Sequence, residues 1–218
     1  MTYPAAPWTL HGHAVHTLQL VDRVRARAFV PSGLEIVSVL PGKTLGGVCL
    51  AAYGPGSALP YHELLVVPAL ARAGPHVGGW ISHLYVDHPE AMAGGREIWG
   101  LPKELAQFTW QSGDERQVTV RQDGRLVCSL HYGRPRRLWR QPLWLPVLSL
   151  RGAHRLRFTG TGTARFGLGK GRVDVPAGTP WAALGMAGAA RTYHYDEMTL
   201  VAHAPRVLGR HDSRRTGG

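Results

Sequence analysis

Asparagine is absent from the 218-residue chain, lysine occurs three times and cysteine twice. Two cysteines are too few for a disulfide scaffold or a four-thiolate zinc site, and leave open one bridge or two buried thiols. The scarcity of lysine and asparagine, whose codons both begin AA, fits a GC-rich genome better than thermal adaptation. No stretch approaches the roughly 18 to 20 uncharged apolar residues that a membrane helix needs. The start, MTYPAAPW, lacks the basic residues and apolar core of a signal peptide. A soluble, cytoplasmic protein with no membrane partner is expected.

Several motifs are missing as well. Pro41-Gly42-Lys43-Thr44 lacks the glycine that a phosphate loop needs five residues before Gly42, where Val37 stands. The glycines at 160, 162, 167, 169 and 171 form no dinucleotide fingerprint, because Arg165 occupies the third glycine position. There is no G-x-S-x-G elbow for acyl transfer. His11, His13 and His16 have no carboxylate nearby, and His16 faces away from the other two on a strand, so no metal is expected there. No cofactor is implied.

Acidic residues are missing from one long segment. Between Asp123 and Asp174 there are eleven basic side chains and no acid, which accounts for the entire net charge of +11. Trp139, Trp144, Phe158 and Phe166 interleave with these arginines, as on a nucleic-acid stacking surface. Subunit interfaces are also rich in Arg and Trp. We rank an interface between copies above nucleic acid, which is not the expected partner.

What is abundant is punctuation. The 28 glycines and 16 prolines favour many short strands over long helices. Apolar stretches mark strands at Val15 to Leu20, Leu34 to Leu40, Thr44 to Tyr53, Tyr61 to Val67, Trp80 to Val86 and Leu105 to Trp110. Asp123-Gly124 joins Gln117–Gln122 to Arg125–His131 as a hairpin. Helices are expected only at Asp22 to Val30 and after Asp87, an N-cap acid ahead of Pro89, and the second should stop early at Gly94-Gly95. Gly133 to Pro146, with three prolines, reads as a long loop or oligomer-facing arm. Residues 1–205 form one β-rich α+β domain in this reading, and 206–218 a basic, flexible tail.

The distinctive segment is Trp80 to Phe108. Lys103 follows Ile98-Trp99-Gly100-Leu101-Pro102, and the proline stiffens the approach from an apolar neighbourhood. Such surroundings lower an ammonium's pKa, as a nucleophilic lysine requires. An exposed lysine at a strand start is the default reading of the local sequence.

The string Gly95-Arg96-Glu97-Ile98-Trp99-Gly100-Leu101-Pro102-Lys103, preceded by Tyr61-His62-Glu63 and Tyr85-Val86-Asp87, resembles the acetoacetate decarboxylase family. The strong match covers about residues 61 to 110, with weaker echoes at Pro31 to Glu35 and Tyr195 to Leu200. The resemblance implies a cone-shaped, mostly antiparallel β-barrel with a few short helices, assembled as a homo-oligomer. It also implies a lysine that forms a Schiff base with a β-keto acid and drives its decarboxylation. Lys103 takes the nucleophile's position and Glu63 that of the active-site carboxylate. Tyr61, Arg96, Trp99 and Glu104 are further pocket candidates, Arg96 with Glu97 chiefly as a structural pair. His62 and His83 are polar neighbours without a matching role.

Two departures stand out. Glu104 replaces a second lysine that helps to depress the nucleophile's pKa, and strand alternation would turn it to the other face. Leu20 stands where an arginine would grip the substrate carboxylate, with Arg23 and Arg25 only nearby. Aldol or dehydration chemistry on a carbonyl compound, and a non-catalytic binding barrel, are therefore the alternatives to decarboxylation.

Overall fold

The computed structural model describes residues 3–113 and 116–210; residues 211–218 of the expected tail lie outside the described residues. Strands β1 (Trp8–Thr17) and β2 (Gln19–Asp22) lead into helix α1 (Arg23–Arg27). The Asp22 carboxylate caps this helix by accepting from the Val24 and Arg25 amides. Then come β3 (Glu35–Ile36), β4 (Lys43–Tyr53), β5 (Tyr61–Val67), β6 (Ala69–Ala73), β7 (His76–Trp80) and β8 (His83–Val86).

Helix α2 (Pro89–Trp99) runs for 11 residues, straight through the glycine pair expected to stop it. Gly94 and Gly95 are buried contact points, not breakers. A Cβ on Gly94 would stand 2.7 Å from the Trp8 ring, so the helix packs there because those side chains are missing. His88, not Asp87, is the N-cap, its Nδ1 accepting from the Glu90 amide. Asp87 instead accepts from the His62 amide and pairs with the His62 ring at 2.6 Å.

Beyond α2 lie β9 (Lys103–Leu105), β10 (Gln107–Gln111), β11 (Arg116–Gln122) and β12 (Arg125–Tyr132). Asp123 and Gly124, both at positive φ, make the expected β11–β12 hairpin turn. The chain continues with β13 (Arg136–Arg151), β14 (His154–Asp174), β15 (Gly188–Ala202) and β16 (Arg206–Arg210).

The expected arm at Gly133 to Pro146 is therefore largely a strand, paired with β14 along its length. Pro142 and Pro146 share one parity, and β7 pairs with β13 only at Val147 and Leu148. Among the described residues no strand pairs with the far edge of β13 before Val147, and proline's missing N–H costs no ladder bond on such an edge. Likewise β16 pairs with β14, so the segment 206–210 is ordered sheet where a tail was expected.

The protein is mostly strand, as anticipated. The strands form one sheet with the path β3-β6-β7-β13-β14-β15-β1-β4-β5-β8-β9, and β2, β10 to β12 and β16 attach beside it. The expected β-rich architecture, a mostly antiparallel barrel-like sheet with a few short helices, is what forms, although no pairing joins β3 to β9 among the described residues to close it edge to edge. Residues of β1, β4, β5, β13, β14 and β15 nevertheless face one cavity, so the sheet wraps around it. One apolar cluster, including Trp8, Tyr61, Leu84, Trp99 and Phe158, surrounds that cavity; a second fills the far side under α1. Among the described residues no helix is long and apolar enough to cross a membrane.

Candidate active site

Lys103 opens β9 and is 3% exposed, against the default for a lysine. Its position follows from the turn before it. Gly100 ends α2 in the left-handed conformation, with its N–H donating to the Arg96 carbonyl, and Leu101 N–H donates to the Gly95 carbonyl. A Cβ on Gly100 would stand 2.3 Å from the Leu150 carbonyl oxygen, so glycine is required for close approach as well as for φ. β9 then runs parallel to β8, setting Lys103 opposite Leu84. Leu84 in turn pairs with Leu65 on β5, two residues along from Glu63 and on the same face of the sheet.

The ammonium nitrogen lies 3.2 Å from Glu63 Oε2 and 3.4 Å from the Tyr61 hydroxyl. Tyr53 closes the constellation, its hydroxyl donating to Glu63 Oε1 at 3.0 Å. Tyr53 and Tyr61 pair across the β4–β5 hairpin, which brings both phenols to the same carboxylate. The Lys103 nitrogen also sits 4.6 Å from the Tyr61 ring centroid and 5.9 Å from that of Trp8. Burial pushes the Lys103 pKa below its ordinary value, while the Glu63 charge and hydrogen bond oppose the shift. Burial, reinforced by Glu63, holds both tyrosines well above the usual phenol range, so they remain donors.

These groups line a cavity of about 350 Å³. Tyr61, Glu63, Trp99 and Lys103 are brought together there, whereas Arg96 and Glu104 are not. Arg96 is exposed, and its Nε donates to the Lys103 carbonyl at 2.7 Å, so it clips the main chain and stays out of the pocket. Glu97 accepts from Tyr3, so the expected Arg96–Glu97 pair gives way to two separate anchors. Glu104 points to the opposite face of β9, exposed, and accepts from Gln122 Nε2. His62 is held by Asp87 outside the cavity, and His83 lines a separate open cleft with Ser82 and Phe29.

Tyr53 and Trp8 escaped the sequence reading. Their signals were the tyrosines flanking the β4–β5 turn and the tryptophan at the head of β1. The missing arginine has no substitute: Leu20 is half exposed on β2, Arg23 and Arg25 are exposed, and among the described residues no arginine lines the cavity. Cys49 does line it, as a free thiol pushed by burial to about 12.

The basic segment also resolves into distinct parts. Phe158 and Phe166 are buried, leaving only Trp139 and Trp144 of the four aromatics substantially exposed, so no continuous stacking surface forms. Arg140 and Arg165 share Glu197 at 3.1 and 3.0 Å.

Comparison with known proteins agrees with this architecture. A protein named NEOXANTHIN-DEFICIENT 1 from Solanum lycopersicum is 36% identical over 107 residues, 49% of this chain and 36% of that protein. The chain thus matches about a third of that relative's length. Acetoacetate decarboxylase 1 of Bradyrhizobium diazoefficiens is 43% identical over 56 residues, 26% of this chain and 19% of that one. Among solved structures, the enduracididine biosynthesis enzyme MppR complexed with pyruvate superposes with a TM-score of 0.75 at 18% identity, covering 96% of this chain and 92% of that one. Acetoacetate decarboxylase from Legionella pneumophila gives 0.69 at 17% identity, covering 96% and 90%. The sequence profile of the acetoacetate decarboxylase (ADC) family matches residues 1–208, and the chain belongs to that family.

Proposed function

We propose that the protein is a Schiff-base carbon–carbon lyase in which Lys103 condenses with a carbonyl substrate. The observation that carries this reading is the buried Lys103 nitrogen 3.2 Å from the buried Glu63 carboxylate. Moving one proton from ammonium to carboxylate leaves a neutral amine beside a neutral acid. Burial favours that neutral form of the lysine. The amine bonds to the carbonyl carbon. The former carbonyl oxygen then takes one proton from the nitrogen and one from the Glu63 carboxyl, and departs as water. An iminium remains beside the Glu63 carboxylate, so the site's net charge is unchanged throughout.

The iminium accepts the electron pair released when the bond to the neighbouring group breaks. With a β-keto acid that group leaves as CO2, the reaction in the family's name. A second reading, favoured by the absence of arginine among the described lining residues, is aldol-type cleavage or dehydration of an uncharged carbonyl compound. In aldol cleavage Glu63 accepts the substrate's hydroxyl proton, and protonation of the resulting enamine and hydrolysis, as after decarboxylation, return free Lys103. In dehydration Glu63 takes the α-proton and passes it to the departing hydroxide, which leaves as water, and hydrolysis of the unsaturated iminium frees Lys103. A non-catalytic binding protein would bind carbonyl compounds without covalent capture. Incubation with a panel of ketones and cyanoborohydride is expected to give a covalent adduct on the wild type and none on Lys103→Arg, since a guanidinium stays protonated. An adduct that survives in Lys103→Arg overturns the proposal.

Oligomerisation belongs to the same reading. The exposed Trp139 and Trp144 on β13 offer a second copy of the chain an apolar contact among arginines. Sedimentation that finds a monomer at micromolar concentration contradicts it.

A further inference from the structure

Resting on Lys103 as the imine-forming residue, we propose that its substrate is hydrophobic: a ketone or aldehyde carrying a hydrocarbon chain, in place of a short, charged keto acid. The charges in the cavity already balance. Lys103 and Glu63 compensate one another at 3.2 Å, and among the described lining residues no arginine accompanies them. His16 also lines the cavity, but burial pushes its imidazole down to about 4, so it is neutral at physiological pH. A substrate carboxylate would enter as an unpaired charge in apolar surroundings, which is strongly disfavoured.

The walls suit hydrocarbon. From the amine, an aromatic wall runs outward: the Trp8 ring lies 5.9 Å from the Lys103 nitrogen and meets Trp99 edge-on at 4.9 Å, and Trp99 stands 6.3 Å from Phe158. The Trp99 indole N–H is spent on the His203 carbonyl, so only its ring faces a ligand. Phe158 lies on β14, far along the sheet from β9, so the apolar lining spans the cavity.

Size and entrance agree. A cavity of about 350 Å³ falls in the roughly 300–1,000 Å³ range of pockets that take drug-sized ligands, which are larger than a short keto acid. Leu18 and Leu145 line the cavity while remaining 36% and 43% exposed, which gives it an apolar rim. A hydrated anion gains nothing at that rim, whereas a hydrocarbon chain loses water there.

The test is reductive capture of methyl ketones from butanone to undecanone, beside acetoacetate and pyruvate, read as adduct mass on the intact protein. Displacement of the uncharged fluorophore N-phenylnaphthylamine is followed in parallel without reductant. The concentration giving half-maximal capture is expected to fall with chain length, by up to about fourfold per methylene until the cavity is full. Gly79→Val, whose Cβ would make an ordinary 3.7 Å contact with Val67, is expected to reduce that gain by filling part of the cavity. Capture of acetoacetate or pyruvate at lower concentration than the long ketones, or a flat chain-length series, overturns the proposal and leaves the Schiff base standing. Displacement by long ketones without capture by any carbonyl supports the hydrophobic ligand and removes the lyase reading. Neither capture nor displacement removes both.

Discussion

Gly95 of α2 lies against the stem of Lys103, and a Cβ there would stand 2.4 Å from Lys103 Cδ and 2.6 Å from Cε. The helix can approach β9 only because residue 95 has no side chain. Gly95→Ala is expected to keep the helix, since alanine is favoured over glycine there by about 1 kcal/mol. It should nevertheless slow reductive capture on the order of 100-fold by displacing the amine. Circular dichroism and adduct mass measured together separate the two effects, and capture at the wild-type rate would show that the contact is dispensable.

The pH dependence of capture reports the Lys103 environment. Burial lowers the Lys103 pKa against the opposing influence of Glu63, and capture needs the one proton that the two groups share, so the capture rate should fall at high pH with a midpoint below the ordinary value of 10.5. In Glu63→Gln the charge that holds the proton on the amine is gone, so capture should instead rise with pH through a midpoint at still lower pH. The maximal rate should drop by about 100-fold or more, because the acid that protonates the departing water is lost.

Stability follows the same shift with a definite sign. The folded-state pKa of Lys103 is below its unfolded value, so between the two the unfolded chain binds more protons and stability rises with pH. The burial cost is fully present below the folded value and is relieved above the unfolded one. Lys103→Met alone strands the Glu63 carboxylate and should cost about 3 kcal/mol or more. Lys103→Met combined with Glu63→Gln keeps an acceptor for Tyr53 and should be at least as stable as the wild type in chemical denaturation. A double variant weaker than the wild type would mean that the pair stabilises the fold outright.

Glu104→Lys tests strand alternation. Glu104 is exposed on the face opposite Lys103 and hydrogen-bonds Gln122. The new charge is screened by solvent, so the capture midpoint should move by less than about half a unit. A displacement of about one unit or more would place residue 104 in electrical contact with the amine.

Much of this site is legible in the sequence because its signals are local. Asp123-Gly124 specifies its turn by φ alone, and the G-R-E-I-W-G-L-P-K string carries the helix end, the left-handed glycine and the strand start in consecutive residues. The failures arise where a distant partner decides the outcome. Gly94 and Gly95 look like breakers until Trp8 and Lys103 supply the neighbours that require them. Pro142 and Pro146 look incompatible with a strand until the edge of β13 that no strand pairs with among the described residues is known. Tyr53 joins the site only through its register with Tyr61. The fold class implied by the resemblance is the one that forms; only the edge-to-edge pairing of β3 with β9 is missing among the described residues.

The most direct measurement is peptide mapping of the borohydride-reduced ketone adduct. The chain has three lysines: Lys43 is half-exposed beside Asp22, Lys170 lies on β14, and Lys103 is buried beside Glu63. The account predicts stoichiometric modification of the Lys103 peptide, with Lys43 and Lys170 unmodified. Modification of Lys43 or Lys170 with Lys103 untouched, or no adduct with any ketone, would contradict it.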